Sequence, residues 1–566
     1  MWPLRPPAWP DAVATVLVLG LVLLVGIGAR QMAAPLSQAT QSAISLSPAA
    51  LPGYTLRTVL LMLAALAASL VFTLTYATLA AKSRSAEMLL IPVLDVLQSV
   101  PVLGYLSFTA LFFVSLFPGN MLGAELAAIF AIFTSQAWNM AFSFYQSLRT
   151  IPADLDEASR SFRATSWQRF WRLEVPFAIP GLVWNMMMSM SGGWFFVVAS
   201  EAIAVGPLRI DLPGVGAYVA LAIERRDLAA VFWAVLAMTG AILVYDQLLF
   251  RPLVAWAERF RFEQTAAPVA ARSWVLDALR QSRLAGWVAG PAGAMLASLA
   301  RARLALPSSA GRLAARLPAR LGAGLWIAAL GLGCAYVVMQ VARHAGASLS
   351  PGDLREACAA GALTLLRVAA LIALAALIWV PIGVVVGLSP VLTGRIQPLA
   401  QFLAAFPANL LFPVAVFLIV RFHLAPGIWL SPLMILGTQW YILFNVIAGA
   451  GAFPSDFREA ARSFRVRRWR WWRQIMLPGI FPYFVTGAIT ASGGAWNAAI
   501  VAEAVRWGDT RLSAGGLGAY IADRTEAGDF PRIALGIVVM SVLVIVTNRL
   551  LWRPLYLYAE RHARLD

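Results

Sequence analysis

A short acidic motif that occurs twice supplies the first candidates for chemistry. The segments IPADLDEASRSFRATSWQRFWRLEVPFAIP, residues 151–180, and FPSDFREAARSFRVRRWRWWRQIMLPGIFP, residues 453–482, each place a phenylalanine and an arginine five and six residues after a glutamate. The motif residues are Glu157, Ala158, Phe162 and Arg163 in the first copy and Glu459, Ala460, Phe464 and Arg465 in the second. This set indicates binding, because a carboxylate offers charge-assisted hydrogen bonds and an aromatic ring offers an apolar anchor at a protein interface.

Polar and aromatic side chains inside apolar stretches are the second group of candidates. Such residues are costly in a membrane and often line a solute pathway. The candidates are Gln98, Ser99 and Gln401; Trp138, Asn139, Gln439 and Trp440; Trp194, Trp496 and Asn497; and the acidic pair Glu201 and Glu503. The alternative for each is packing or hydrogen bonding to a neighbouring helix. For Glu201 and Glu503, three roles stay open: binding a cation, forming a salt bridge at a gate, or capping the turn that follows.

The chain offers no site for nucleotide hydrolysis or for a metal ion. A phosphate-binding loop needs a lysine directly after a glycine-rich turn. The only lysine, Lys82, lies in Leu79-Ala80-Ala81-Lys82-Ser83, and the three histidines are scattered at His344, His423 and His562. We therefore predict that the chain is not an enzyme by itself and holds no cofactor or metal.

The elements that must position these residues are membrane spans. The 566 residues are 60% hydrophobic and 13% charged, with a mean hydropathy of +0.75. Soluble domains carry roughly 25% charged residues, and a span needs about 20 apolar ones. The net charge of +17 comes from arginines in the loops between apolar runs, which indicates the positive-inside pattern rather than nucleic-acid binding.

A tandem duplication organises these spans. From Trp138 onward, which pairs with Trp440, the chain repeats at a constant offset of 302 residues, and Arg251-Pro252-Leu253 pairs with Arg553-Pro554-Leu555. The predicted spans are 12–29, 56–81, 88–117, 121–146, 181–204 and 229–250, then 321–342, 357–388, 396–420, 427–448, 483–506 and 531–551. Six spans in each unit give two parallel repeats with both chain termini in the cytoplasm.

The predicted domains follow from the repeat. They are a first six-span unit at 1–260, a second at 321–566, and between them an Ala/Arg-rich amphipathic cytoplasmic linker at 261–320 that serves as a tether or as interfacial helices. In each polar segment we predict two short helices at the inner membrane surface. Pro152 and Pro454 precede the first of them, and Pro176 and Pro478 end the second.

These paired segments resemble the EAA loops of ATP-binding-cassette importer permeases. The family pattern is Glu-Ala-Ala, three residues, Gly, nine residues, Ile, one residue, Leu-Pro. Glu157-Ala158-Ser159 precedes Leu173 and Val175-Pro176 at this spacing, and Glu459-Ala460-Ala461 precedes Ile475 and Leu477-Pro478. Both copies depart from the pattern at the glycine, which is replaced by Arg163 in the first copy and by Arg465 in the second. Glycine at this position permits a turn with a positive φ, which arginine adopts only at some cost.

Later segments narrow the resemblance. SGGWFFVVASEAI with LPGVGAYVA, and SGGAWNAAIVAEAV with GGLGAYIA, are similar to permeases of the nitrate, taurine, sulfonate and bicarbonate group. The resemblance covers nearly all of each half except the first span and the linker. It implies an all-α polytopic type I importer fold in a bacterial inner membrane, with two permease units fused in one chain.

The resemblance also implies the partners. Two copies of an ATPase subunit, which carry the ATP and Mg, would bind the two loops, and a periplasmic binding protein would deliver a small solute. The only other expected contact is membrane lipid. The alternative is an ion-coupled secondary transporter with parallel six-span halves, which predicts acidic residues at mid-membrane and no patterned loop between the fourth and fifth spans.

Overall fold

The computed structural model describes residues 44–205, 208–260, 273–302, 349–453 and 468–562, together with 9–13, 15–16, 457, 459, 461 and 463–466. The predicted spans 12–29 and 321–342 lie almost wholly or wholly outside these residues. Both ends of the linker, 261–272 and 303–320, and part of the second EAA loop also lie outside the described residues.

The first unit is a set of helices followed by a β-hairpin and two further helices. In chain order they are α1 Leu51–Lys82, α2 Arg84–Ser99, α3 Val102–Leu116, α4 Met121–Arg149, α5 Ala153–Ser161, α6 Ser166–Ser200, β1 Ala202–Val205, β2 Leu208–Asp211, α7 Val215–Glu224 and α8 Leu228–Phe260. Two linker helices follow, α9 Trp274–Gln281 and α10 Arg283–Arg301.

Apart from the second EAA loop, which is only partly described, the second unit repeats this order with one change. Its elements are α11 Pro351–Gly387, α12 Pro390–Ala405, α13 Phe412–Arg421, α14 Trp440–Gly451, α15 Trp469–Ala502, β3 Ala504–Trp507, β4 Thr510–Ser513, α16 Leu517–Ala527 and α17 Phe530–Ala559. Where the first unit has the long helix α4, the second has short helical turns at Pro426–Trp429 and Ser431–Met434 before α14.

The described helices confirm a tandem helical membrane fold. Seven of them are long and apolar enough to span a membrane, namely α1, α4, α6, α8, α11, α15 and α17 with their short flanking turns, and α12 with α13 forms a bent pair. The prediction of twelve spans stays a prediction, because two of them lie outside the described residues. The two antiparallel hairpins, β1 with β2 and β3 with β4, were not predicted.

Three of the predicted spans are interrupted, and these interruptions were not predicted. The span 88–117 is divided at Pro101, and the span 396–420 is divided at Pro407, where the two helical axes differ by 78°. The residue before a proline is driven out of the α region, and Val100 and Phe406 have ψ angles of 125° and 128°. The span 427–448 contains the two short turns and becomes a regular helix only at Trp440.

The ends of the fifth spans also differ from the prediction. Pro176 and Pro478 do not end a helix: α6 and α15 run through them without interruption. A π-helical turn precedes each proline, and Val175 N–H and Leu477 N–H donate to carbonyls five residues back. The wider turn accommodates the missing proline N–H. At the other end both helices stop at Ser200 and Ala502 rather than at 204 and 506, and the hairpins begin.

The two units pack against each other along the broken spans. Val102 N–H donates to Asn497 Oδ1 at 2.7 Å, and Asn409 Nδ2 donates to Phe195 O at 3.0 Å. Because Asn497 and Phe195 occupy equivalent repeat positions, each break is tied to the other unit's fifth span in a related way. At the hairpin end, Gly508 N–H donates to Ile223 O at 2.9 Å and Arg226 pairs with Asp509 at 3.0 Å.

Candidate functional sites

The EAA loops present their motif residues to the surface. Helix α5 carries Glu157 and Ala158 on its exposed side, and Phe162 at its end is 85% exposed. In the second loop Glu459 is exposed and Phe464 is 82% exposed, while Ala460 lies outside the described residues. Fully exposed phenylalanines at equivalent positions are unusual for an isolated chain, because a large apolar ring normally gains free energy by burial.

The turn after each motif keeps a glycine-like backbone although the residue is arginine. Arg163 has a φ of 49° and Arg465 a φ of 52°. In the first loop, Ala164 N–H donates to Ser159 O at 3.2 Å, which closes the helix end with a left-handed residue. A left-handed conformation costs a non-glycine residue roughly 1–2 kcal/mol. Both arginines therefore adopt the positive φ that glycine adopts more easily.

A cavity of about 190 Å³ lies between the two units. Its lining includes both span breaks, the fifth spans and the fourth-span region of each unit. Four of the predicted pathway residues line the cavity, namely Gln98, Trp138, Asn139 and Asn497. Gln98 Nε2 donates to Asn139 Oδ1 at 3.2 Å. Among the described lining residues none carries a formal charge, so the surface consists of amides, hydroxyls, aromatic rings and glycines.

Most other predicted pathway residues lie away from this cavity. Trp194 and Trp496 are each 1% exposed inside the two units, and Gln401 donates to Met187 Sδ at 2.6 Å across the interface of the units. Gln439 accepts a hydrogen bond from Trp379 Nε1 at 2.9 Å, and Trp440 lies against the Trp379 ring. Ser99 ends α2, and its side chain lies outside the described atoms.

Glu201 and Glu503 sit in equivalent buried caps rather than in the cavity. Glu201 accepts from Thr58 Oγ1 and Gly216 N–H, both at 2.6 Å. Glu503 accepts from Thr364 Oγ1 at 2.9 Å and Gly518 N–H at 2.8 Å. Each carboxylate thus meets the free N–H groups at the start of α7 or α16, where negative charge is favourable. Of the three roles considered, this geometry fits the capping role.

Sequence reasoning missed several cavity residues. They are small or hydroxylic side chains and aromatic rings: Thr134, Ser135, Ser191, Phe195, Phe196, Thr438, Tyr441 and Thr490. A partial signal was present, because Gly192 repeats as Gly494. The positions three and four residues later, Phe195 and Phe196 in one unit and Asn497 and Ala498 in the other, lie on the same helix face as this glycine.

Comparison with known families identifies the fold's relatives. The chain matches the family described as binding-protein-dependent transport system inner membrane component twice, over residues 73–251 and 379–551. Together these matches cover more than half of the chain. The chain belongs to this family. The prediction that two permease units are fused in one chain is confirmed, and the protein is a multi-pass inner membrane permease.

The curated relatives of this permease are transport components. The bicarbonate transport system permease protein CmpB of Synechococcus elongatus is 29% identical over 186 residues, which is 33% of this chain and 64% of that protein. The nitrate import permease protein NrtB of Leptolyngbya laminosa is 25% identical over 189 residues, 33% of this chain and 64% of that protein. The matches therefore span less than two thirds of these relatives' length.

Betaine permeases are similar to the same chain. The glycine betaine/proline betaine transport system permease protein ProW of Escherichia coli is 31% identical over 160 residues, which is 28% of this chain and 43% of that protein. All these relatives are named as permease components.

Proposed function

We propose that this permease is the transmembrane part of an ATP-driven importer for a small polar solute of the bicarbonate or nitrate class. The observation that carries the proposal is the pairing of two exposed EAA loops with one cavity between the units. An ATPase dimer bound to both loops would move the two units relative to each other and thereby open or close the cavity. Both ATP and Mg belong to that partner.

The coupling residues are proposed from their exposure. Glu157 and Glu459 would form charge-assisted hydrogen bonds with the ATPase, and Phe162 and Phe464 would insert into an apolar groove of it. Ala158 and Ala460 leave room for close approach, and the turns at Arg163 and Arg465 hold the phenylalanines at the helix ends. With two loops per chain, the complex would contain two ATPase copies.

The pathway is proposed from the cavity lining. Gln98, Asn139 and Asn497 offer amide groups that can exchange hydrogen bonds with a passing solute, and a neutral lining avoids holding an anion too tightly to release it. The described lining residues also include no acidic side chain, which an ion-coupled secondary transporter would use. Six further predicted residues would support this pathway by packing within the two units that enclose it, namely Ser99, Gln401, Gln439, Trp440, Trp194 and Trp496. We propose that a periplasmic binding protein delivers the solute at the hairpin end.

A second substrate class is favoured by one feature of the cavity. Five aromatic residues line it, namely Trp138, Phe195, Phe196, Phe406 and Tyr441. Aromatic faces attract quaternary ammonium groups, and two of the relatives are named as betaine permeases. Uptake of radiolabelled bicarbonate, nitrate and glycine betaine by the same complex separates the two classes.

Orientation follows from the arginine distribution and is part of the proposal. We place the EAA loops, the linker and both termini in the cytoplasm of a bacterial cell. Reporter fusions at the N-terminus, near Ala285 and at the C-terminus should all report cytoplasm. A periplasmic signal from the linker fusion alone would contradict the arrangement of two parallel six-span units.

The coupling proposal is tested with interface variants. Glu459→Arg, and separately Phe162→Ala with Phe464→Ala, should leave the chain folded because these side chains are exposed. Each should reduce ATPase copurification and abolish solute-stimulated ATP hydrolysis in proteoliposomes, since truncating an interface anchor costs about 2–4 kcal/mol. Trp469→Ala, another exposed aromatic in the second loop, is the matched control. Unchanged copurification and unchanged stimulation in both variants would refute the coupling role.

A further inference from the structure

The two EAA loops are anchored to their units by different chemistry. In the first loop, Arg169 lies between two acidic residues: its Nη2 is 2.7 Å from Asp156 Oδ1, and its Nε is 3.1 Å from Glu174 Oε1. Glu174 also pairs with Lys82, with 2.8 Å between Nζ and Oε2. We call these four residues the first-loop ion network.

The network connects three separate elements. Asp156 belongs to α5, the helix that carries the EAA motif, while Arg169 and Glu174 belong to the start of α6 and Lys82 ends α1. The Glu174 side chain is only 4% exposed. Ion pairs removed from water are weakly screened, and a buried carboxylate that loses its cations is strongly destabilising. The Arg169 and Asp156 side chains that reach α5 are 32% and 22% exposed, so this pair is more strongly screened than the buried end at Glu174. Through it the network ties α5 to the start of α6 and the end of α1.

Within the residues that the structure describes, the second loop has no counterpart of this network. At the repeat offset, Trp471 stands in place of Arg169, Met476 in place of Glu174 and Arg458 in place of Asp156. Leu388 stands in place of Lys82, because each of these residues directly precedes the serine that caps the next helix, α2 in the first unit and α12 in the second. Met476 is fully buried, so the same position is filled by apolar packing.

The linker adds a second attachment to the first loop. Trp167 Nε1 donates to Leu299 O at 2.7 Å, and Gln168 Nε2 donates to Arg301 O at 2.9 Å. These carbonyls belong to the last turn of α10, where backbone acceptors have no partner within the helix. The equivalent Trp469 is 70% exposed. Within the described residues, only the first loop is therefore in contact with the linker.

We infer that Arg169 is a positioning residue that ties the first EAA helix to α1 and makes the two loops mechanically unequal. The inference rests on the proposed function, in that α5 is taken as the ATPase-docking helix. Movement of the ATPase at the first loop is transmitted through ion pairs to α1 and α6. Movement at the second loop is transmitted through apolar contacts of α15.

Spin labels measure this difference without the ATPase. In a chain with Cys334 and Cys358 replaced by serine, labels at Ser161 and Arg84 report the distance between α5 and α2 beside the end of α1. Labels at Ser463 and Val391 report the equivalent distance in the second unit. Arg169→Met should broaden the first distribution at least twofold, and Arg169→Lys should restore most of the native width because the charge is kept. The matched change Trp471→Met should leave the second distribution narrow.

A second variant covers the case in which Arg169→Met does not fold. Lys82→Leu with Arg169→Trp and Glu174→Met gives three of the four network positions the residues of the second unit. Asp156 keeps its pair with Arg160 at 2.9 Å, so no buried charge is left without a partner. It should fold and should show the broader first-loop distribution. A first-loop distribution of native width in this variant or in Arg169→Met would overturn the inference.

Coupled hydrolysis gives the functional readout. In the complex, Arg169→Met should keep the ATPase bound but lower solute-stimulated hydrolysis by about 2- to 30-fold, the range for residues that transmit coupling without touching a ligand. Full stimulation would count against a positioning role for Arg169. If no ATPase copurifies even with the unmodified chain, the proposed function fails, while the spin-label result still decides the inference about the loop.

Discussion

The two units solve the same capping problem with different electrostatics. Glu201 and Glu503 both bind a threonine hydroxyl and the first N–H groups of the next helix. Glu503 in addition pairs with Arg367 at 3.0 Å, and this arginine donates to the carbonyls of Gly515 and Ala514 at 2.6 and 2.5 Å. Three residues after each capping threonine, the first unit has the buried Leu61 where the second has Arg367.

This difference shows which part of the cap is essential to the fold and which part is an addition. The carboxylate and the threonine occur in both units, so they form the shared cap. The arginine occurs in one unit and fastens the turn before α16 from a different helix. In the first unit the nearby Arg57 pairs instead with Glu125 of α4. The same contrast between ionic and apolar anchoring recurs, with the units exchanged, at the EAA loops.

The largest expected effect is the loss of charge at the second cap. Glu503→Gln leaves the Arg367 cation in a site where its side chain is 12% exposed, without an anion beside it. Breaking a buried ion pair from one side costs about 3–5 kcal/mol. Glu201→Gln removes no ion pair and should cost about 1 kcal/mol, the scale of one altered hydrogen bond. Thermal unfolding in detergent measures both; equal losses for the two variants would contradict the comparison.

Glycines beside the caps should affect both units alike. A Cβ at Gly216 would lie 2.2 Å from Val198 O, and a Cβ at Gly518 would lie 2.2 Å from Ala499 O. Because backbone cannot move aside as a flexible side chain can, Gly216→Ala and Gly518→Ala should each destabilise by about 1–3 kcal/mol. The control is Gly240→Ala, where nothing lies within 4 Å. Melting temperatures that fall for only one of the two cap variants would show that the caps are not equivalent.

The linker contact should have a smaller and strictly local effect. Trp167→Phe with Gln168→Leu removes both donors to the end of α10, each worth about 1 kcal/mol. Trypsin should then cleave the linker near Arg301 and Arg303 several times faster, while the melting temperature of the chain changes little. Trp469→Phe, which has no linker contact to lose within the described residues, should leave the cleavage rate unchanged. Cleavage at the native rate in the double variant would mean that these bonds do not hold the linker.

The smallest expected effect is at the two left-handed arginines. Arg163→Gly and Arg465→Gly remove a strain of roughly 1–2 kcal/mol but add about 0.5–1 kcal/mol of backbone entropy to be lost on folding. The net result should be a stabilisation of no more than about 1 kcal/mol, nearly equal in the two loops, with ATPase copurification retained. A marked loss of stability in either variant would show that the arginine side chain makes a contact that outweighs its backbone strain.

The repeat and its motifs could be predicted because they depend on sequence alone. Apolar length marks the spans, since each must pair its own backbone groups in the membrane. The constant offset of 302 residues revealed the fused units, and the Glu-Ala pairs located the EAA loops. The breaks at Pro101 and Pro407 were also visible as prolines in the sequence. We nevertheless predicted one span at each place and no break within it, because hydrophobicity does not distinguish a continuous span from two helices that meet at a proline.

Only the tertiary structure decided which polar residues face one another. Gln98, Asn139 and Asn497 reach the cavity, whereas Trp194 and Trp496 lie inside the units and Glu201 and Glu503 cap helices. The capping threonines are 143 and 139 residues from their glutamates along the chain. The first-loop ion network joins Lys82 at the end of α1 to Glu174 near the start of α6. Span length, charge bias and motif spacing are local properties of the sequence. The direction in which a side chain points from a buried helix is instead set by the neighbouring helices. An almost uniformly apolar helix has little amphipathic pattern from which that direction could be predicted.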